Sequence, residues 1–178
     1  EGDRGYPKIK PPFPVVEGAW RCPTLVHNTQ TLASLPGIVN MGAENWAQIG
    51  PPKSPGGMVY CLSGHVKKPG LYEYPMLTTM KDLIYDLGGG TIDDIPLKAV
   101  IPGGSSMPVM KYNGSYTGTD GKEKTDNIDM QMDFDTLLAN NSLLGSAGVI
   151  AMHERTCMVS ACYNIVRFYH HESCGQCT

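Results

Sequence analysis

Proline and glycine decide where this chain can form regular helices and strands. Of its 178 residues, 14 are proline and 21 are glycine, and they concentrate in residues 1–57 and around Gly88–Ser106. Proline lacks a backbone donor and has a fixed φ, whereas glycine suits turns. Turns and extended segments are therefore expected to dominate in those two regions, with short regular elements around them.

Residues 58–110 have the pattern of a small unit with strands and one helix. Apolar runs and alternation typical of β-structure flank a turn at Lys68–Gly70, and apolar residues at helical spacing follow. One helix packed on a mixed sheet buries such elements, so the predicted fold class is α+β. In chain order the pattern predicts strands at Met58–Ser63 and Leu71–Tyr74, a helix from Thr78 or Thr79 to about Leu87, and a strand at Leu97–Ile101.

The segment before residue 58 contains one predicted helix. Its residues are Thr24–Ser34, with Asn28 or Thr29 as the capping residue. Pro36 and Gly37 are expected to end it, because proline interrupts helical hydrogen bonding and glycine favours a helix terminus.

The segment after residue 110 begins with a polar, glycine-rich stretch, Lys111–Asn127, which predicts a surface loop. Two helices and a strand are predicted beyond it. The second helix carries four apolar or weakly polar residues on one face, which must pack on something. The predicted elements are a helix from Asp133 to Gly145, a buried strand at Ala147–Met152, and a helix from its cap Thr156 to His170 or His171, with Met158, Cys162, Ile165 and Tyr169 on one face.

Composition excludes two classes of function. The formal net charge is -3, which argues against a dedicated nucleic-acid surface because such a surface needs clustered basic residues. No apolar run approaches the roughly 18 residues that span a bilayer.

The six cysteines fall into two groups. Cys22, Cys61, Cys157 and Cys162 lie singly in apolar or mixed segments, so each is expected to be a buried free thiol. Cys174 and Cys177 form a C-x-x-C pair, and Gly175 between them permits a tight turn.

This pair predicts a site for a metal or a reactive dithiol. Zinc and iron are both compatible with two thiolates, and a complete tetrahedral site needs four soft ligands. The pair occupies the last five positions of a chain that begins at Glu1 rather than at Met. The chain is therefore expected to be an internal fragment of a larger redox protein.

Six short motifs follow one another in a fixed order: Lys10–Pro14, Pro23–Thr31, Ser63–Val66 with Pro69 and Gly70, Ala99–Ser106, Met132–Asp135 and His171–Thr178. Together they resemble one family, the NADH-binding flavoprotein subunit of respiratory complex I, or NADH-quinone oxidoreductase. The resemblance spans essentially the whole chain, and its last phrase is the most specific. Related subunits of NAD-reducing hydrogenases, NAD-dependent formate dehydrogenases and electron-bifurcating enzymes share these phrases.

The resemblance implies a division into domains. Residues 1–57 would be the tail of the FMN/NADH domain with a linker, and residues 58–110 a ubiquitin-like β-grasp domain of the SLBB type. Residues 111–132 would be a surface loop, and residues 133–178 the start of a helical iron–sulfur domain.

The resemblance also implies the cofactors and the residues that hold them. Cys174 and Cys177 correspond to the first two ligands of a four-iron four-sulfur cluster, whose other two ligands are not among these residues. In the flavin region, His27 replaces the first of two adjacent asparagines, and Asn28 keeps the second. Asn28 is thus the candidate FMN contact, with a helix cap as its alternative role. NAD and FMN belong to the intact subunit.

The resemblance further implies an NADH dehydrogenase in which electrons pass from NADH through FMN to the cluster, while the fragment alone is expected to be inactive. Partners would be other peripheral-arm subunits, especially the two-iron two-sulfur thioredoxin-like subunit and the large iron–sulfur subunit. The place would be the cytoplasmic side of the bacterial inner membrane, or the matrix side in mitochondria. The alternatives are the homologous diaphorase subunit of a hydrogenase, formate dehydrogenase or bifurcating enzyme, and a non-catalytic subunit-docking module.

Overall fold

The computed structural model describes residues 10–112, 115–117, 121–125 and 128–175. The chain forms two compact units. One is Ala43–Met158, and the other combines Glu1–Gly42 with Val159–Thr178. The larger unit contains all seven described strands and the main core.

Five strands of the larger unit form one mixed sheet in the order β2-β1-β7-β3-β4. The β1–β7 pair is parallel, whereas β1–β2, β3–β7 and β3–β4 are antiparallel. The remaining two strands, β5 and β6, form a separate antiparallel ribbon. The strands are β1 (Gly57–Gly64), β2 (Gly70–Pro75), β3 (Leu97–Ile101), β4 (Met110–Lys111), β5 (Ser115–Thr117), β6 (Glu123–Thr125) and β7 (Gly148–His153).

The α+β class predicted from the sequence is confirmed, and the sheet extends further along the chain than residue 110. Its central strand β7 comes from the segment assigned to the helical iron–sulfur domain. The segment 111–132 contains the β5–β6 ribbon and then returns to the core at Met130 and Met132. Local patterns identify strands but not their neighbours, because strand order depends on contacts between distant segments. The domain boundaries of the intact protein stay a prediction.

The alternating residues of β1 show which face of the sheet is buried. Met58, Tyr60 and Leu62 point to one face and are buried, because side chains alternate along a strand. Leu83 and Ile84 are completely buried in the same core. Cys61 lies on the opposite, exposed face of the strand.

Methionine is the most frequent side chain of this core. Methionine is unbranched and polarisable, so it fills irregular gaps between strands and loops. All six core methionines have at most 9% of their surface exposed, and they are Met58, Met76, Met80, Met110, Met130 and Met132.

The predicted helix after β2 is present, and it is a π-helix over Asp82–Leu87. The Gly88 N–H donates to the carbonyl of Leu83 at 3.0 Å, which is the bond between residues five apart that defines a π-helix. Thr79 starts it as predicted: its hydroxyl accepts from the Asp82 N–H at 3.1 Å, and its own N–H donates to the Asp82 carboxylate at 2.9 Å. These bonds lower the pKa of Asp82.

A buried polar contact joins β1 to the segment before helix α3 (Phe134–Ala139). The Tyr60 hydroxyl donates to the carbonyl of Met132 at 2.9 Å. Next to it, Asp133 is 3% exposed and caps α3 by accepting from the Thr136 N–H at 2.7 Å. Burial, and then the negative charge of Asp133, raise the pKa of Tyr60 above its ordinary value.

Two predicted helix ends were wrong. Helix α1 (Thr29–Met41) continues through Pro36, because a proline costs the helix one donor but has a helical φ, and it ends at Gly42. Helix α3 stops at Ala139, well before Gly145, since the chain turns at Asn141 with φ +57°. Helix α2 is a short segment, Ala43–Trp46.

Gly64 is expected to be the residue of β1 least tolerant of a side chain. A Cβ at Gly64 would lie 2.2 Å from the carbonyl oxygen of Ala151 in β7, and φ is +86°. Gly89 is a matched control, because its φ is +73° but its nearest neighbours would be side-chain atoms at 3.6 Å. Gly89→Ala should therefore cost only the left-handed strain of about 1–2 kcal/mol. Gly64→Ala should cost about 2 kcal/mol more, measured by urea unfolding, because backbone must move. Equal losses in the two variants would contradict the close approach of β1 and β7.

Tyr60 should make the protein sensitive to alkali. A raised pKa in the folded state means that the neutral phenol stabilises the fold fully below about pH 10, and that this contribution is lost as pH rises further. Tyr60→Phe should be less stable by about 1 kcal/mol at pH 8, since the Met132 carbonyl loses its donor. Between pH 10 and 11 its free energy of unfolding should fall less than that of the wild type. Tyr74 is 42% exposed, so Tyr74→Phe should keep the wild-type pH dependence. Parallel pH profiles for the wild type and Tyr60→Phe would refute this role.

Candidate functional site

Helix α4 (Met158–Glu172) leads to the C-x-x-C pair. It begins two residues later than predicted, after the expected cap Thr156. The predicted apolar face is not covered in the described part of the chain, where α4 has no buried residue. Met158, Cys162 and Tyr169 of that face are exposed, and Ile165 is half-buried.

Cys174 lies just beyond the end of α4 and has an exposed free thiol. The helix is extended at its end by the Ser173 N–H, which donates to the carbonyl of Tyr169 at 2.9 Å. Gly175 then turns the chain with φ +75°, the left-handed conformation expected for this position. Cys177 lies outside the described residues, so the pairing of the two thiols stays a prediction.

Basic and imidazole side chains surround the end of α4. Arg167, Phe168, His170 and His171 line a cavity of about 470 Å³. The His171 Nδ1 is 2.8 Å from a carboxylate oxygen of Glu172. Cationic groups in the last turn suit the partial negative charge of a helix C-terminus, and they also favour an anionic group bound beside it.

The four other cysteines are free thiols as predicted, but the prediction that they are buried was wrong. Cys22, Cys61, Cys157 and Cys162 are all exposed. Cys61 is on the uncovered face of β1, and Cys162 is on the unburied helix α4. An apolar segment in a sequence does not reveal which of its faces the fold covers.

Asn28 caps α1, which is the alternative role considered for it. Its side-chain oxygen accepts from the Gln30 N–H at 2.8 Å. Its amide nitrogen has no acceptor in the described part of the chain and remains able to donate. His27, beside it, is exposed.

The structure also brings together two histidines that the sequence analysis did not connect. His65 follows β1 directly, and His153 ends β7, so the parallel pairing of these strands stacks their rings. Thr156 lies between their Nδ1 atoms. Only the knowledge that β1 and β7 are neighbours would have revealed this cluster from the sequence.

The described residues contain neither a cluster of metal ligands nor a helix that could span a membrane. No group of three or more His, Cys, Asp or Glu side chains is arranged to hold a metal ion among residues 10–112, 115–117, 121–125 and 128–175. Across the same residues, every helix is too short or too polar for a transmembrane span.

Comparison with known proteins assigns the sheet unit. The model of the SLBB domain matches residues 59–110, which run from β1 to β4. An NADH-quinone oxidoreductase F subunit of Rhizobium meliloti (strain 1021) is 46% identical over 178 residues, which are 100% of this chain and 39% of that protein. The chain is homologous to part of the F subunit of NADH-quinone oxidoreductase. The resemblance inferred from the sequence is thereby confirmed.

Other subunits of the same kind are also similar to this chain over its whole length. The NADH-quinone oxidoreductase F subunit of Streptomyces coelicolor is 41% identical over the whole chain, which covers 36% of it. NADH dehydrogenase [ubiquinone] flavoprotein 1, mitochondrial, of Dictyostelium discoideum is 43% identical over 179 aligned residues, and the chain covers 35% of it. The chain thus spans less than two fifths of the length of these relatives.

A solved structure has the same fold. The crystal structure of NAD+-reducing [NiFe]-hydrogenase in the air-oxidized state aligns with 97% of this chain and 27% of its own chain, with a TM-score of 0.71 and 30% sequence identity. The fold of this F-subunit homologue is therefore shared with a chain of a hydrogenase.

Asn28 should contribute to the stability of α1 through its cap. Asn28→Ala removes the acceptor for the Gln30 N–H and should cost about 1 kcal/mol of helix stability. Asn28→Asp keeps an acceptor and adds a favourable charge at the helix N-terminus, so it should retain the helix. Hydrogen exchange of the first turn of α1 measures the difference. Equal exchange in both variants would show that the cap does not stabilise the helix.

Proposed function

We propose that this chain is part of the NADH-oxidising flavoprotein subunit of an NADH-quinone oxidoreductase. The observation that carries the proposal is the similarity over all 178 residues, at 46% identity, to an F subunit of that enzyme. An SLBB domain alone would not indicate an activity, because one fold serves many functions. Similarity that includes both flanks of this domain argues for the same kind of subunit.

In this proposal, Cys174 and Cys177 hold part of a four-iron four-sulfur cluster, whose remaining ligands lie elsewhere. The cluster supplies one-electron transfer, and the protein positions it and tunes its potential. The described part of the site fits such a group. The Cys174 thiol is free and accessible, and Gly175 turns the chain after it. Arg167, His170 and His171 line one cavity in the last turns of α4, which precede Cys174 in the sequence, and such groups suit a cluster whose thiolate ligands are negative.

FMN and NAD are the other proposed cofactors of the intact subunit. Asn28 is the residue of this chain proposed to contact FMN. Its side-chain oxygen already caps α1, which fixes the carboxamide in one orientation. Its amide nitrogen has no acceptor among the described residues, so it is available as a donor suited to a flavin phosphate or ribityl oxygen.

The proposed partners are the other peripheral-arm subunits of complex I, especially the two-iron two-sulfur thioredoxin-like subunit and the large iron–sulfur subunit. The proposed location is the cytoplasmic side of the bacterial inner membrane, or the matrix side in a mitochondrion. Residues 1–57 are proposed as the tail of the FMN/NADH domain, and the segment after β7 as the start of the helical iron–sulfur domain.

A second candidate is the corresponding subunit of an NAD-reducing hydrogenase. The observation that favours it is the structural similarity to a chain of the NAD+-reducing [NiFe]-hydrogenase. Both candidates use the same proposed cofactors, and they differ in the partner subunits. Purification of the intact protein from its own cells distinguishes them, because hydrogenase subunits or quinone-reducing subunits would be recovered with it.

Cys174→Ser in the intact protein tests the cluster assignment. We expect it to lose the electron paramagnetic resonance signal of one reduced four-iron cluster and about four iron atoms per subunit, since one thiolate of four is removed. NADH oxidation by ferricyanide, an artificial acceptor, should remain if electrons can leave from the flavin. Cys162→Ser is the matched control, because Cys162 is an exposed thiol of the adjoining helix and should leave the cluster intact.

Retention of the full signal and iron content in Cys174→Ser would contradict the ligand role. Intact protein that binds neither flavin nor cluster after reconstitution would instead support the third reading, a subunit-docking module without catalysis.

A further inference from the structure

His65, Thr156 and His153 form a compact cluster at one end of the sheet, called here the histidine clasp. The two imidazole rings stack with centroids 3.9 Å apart and planes 16° apart. The Thr156 hydroxyl oxygen is 3.1 Å from Nδ1 of His153 and 3.3 Å from Nδ1 of His65. All three side chains are partly buried.

The clasp closes the turn that follows β7. The His65 N–H donates to the carbonyl of Ala151 at 2.8 Å, which holds one ring against the strand that carries the other. The Thr156 N–H donates to the carbonyl of His153 at 2.9 Å, and Lys98 Nζ donates to the carbonyl of Thr156 at 2.7 Å. Thr156 is therefore bound through its amide, carbonyl and hydroxyl at once.

The hydroxyl can satisfy both rings when they are neutral. One ring donates its Nδ1–H to the Thr156 oxygen, and the hydroxyl donates its single proton to the unprotonated Nδ1 of the other ring. One added proton leaves this chain of bonds unchanged, because it can reside on the outer nitrogen of the donating ring. A second added proton makes both rings cationic, so that two like charges are stacked in direct contact.

No opposite charge compensates such a pair. In the part of the chain that the structure describes, neither imidazole lies within 4.0 Å of a carboxylate. Lys98 adds a further positive charge next to Thr156. The other charged groups on the surrounding elements are Glu154 and Arg155 of the turn, and Lys67, Asp93 and Asp94 near His65, of which Lys67 and Asp94 are paired with each other at 2.5 Å.

We propose that the histidine clasp is an acid-sensitive contact. It holds the turn after β7 closed while at most one ring is charged, and it opens when both rings are charged. Histidine is the side chain whose charge normally changes between about pH 5 and 8. In the open form the rings separate and both accept protons, so the open form binds more protons. The closed form is therefore favoured at higher pH and lost as the solution becomes acidic.

Hydrogen exchange in the intact protein tests the clasp. The Glu154 and Thr156 amides donate to the carbonyls of Pro96 and His153, so a peptide covering residues 154–157 reports the opening of the turn. After correction for intrinsic exchange rates, its opening constant should rise at least about threefold between pH 8 and pH 5.5, since an unperturbed imidazole is about nine-tenths charged at the lower pH. Repulsion of two unit charges about 4 Å apart corresponds to a limiting factor of about fivefold in the dielectric of water, reached when both rings are fully charged.

Two variants remove the second charge without removing the bond to Thr156. His65→Asn and His153→Asn each place a neutral amide where Nδ1 was, and each should reduce the pH response to less than about twofold. Thr156→Ser, which retains the hydroxyl, should keep the wild-type response. A wild-type response below twofold would overturn the proposal. So would a response unchanged from that of the wild type in whichever asparagine variant is folded.

Discussion

The insertion of β7 between β1 and β3 is the contact on which the sheet depends. Without it, the β1–β2 hairpin and the β3–β4 pair would be separate two-stranded pieces, which are marginally stable in water. Val149 and Ala151 of β7 are completely buried, so the strand also supplies the middle of the core. The backbone contact of Gly64 with Ala151 leaves no room for a side chain, which makes the β1–β7 register specific.

Features governed by neighbouring residues were predictable from the sequence. The strands at Met58–Ser63, Leu71–Tyr74 and Leu97–Ile101 were found by apolar pattern, and Asn28 and Thr79 were among the capping candidates suggested by residue type and position. The central place of β7 was not, because it is set by pairing with residues far along the chain. Cys61 was expected inside because its neighbours are apolar, whereas the alternation of the strand turns it outward.

The candidate site likewise has features set by neighbouring residues, which were predictable, and features set by distant residues, which were not. Cys174 and Gly175 were identified from their spacing, and the structure places the thiol at an accessible turn after α4. A complete cluster site needs two further soft ligands, which the spacing of this pair does not identify. The histidine clasp escaped prediction for the same physical reason, since strand pairing brings His65 and His153 together across almost ninety residues.

The methionines of the core determine how the protein is damaged by oxidants. Conversion to the sulfoxide makes this flexible apolar side chain polar, which is incompatible with a packed interior. Because Met132 is fully enclosed and the other five are nearly so, an oxidant reaches their sulfur atoms only when the core opens. Sulfoxide formation at these six positions would therefore accumulate at the rate of transient opening, and each oxidised molecule would be harder to close again.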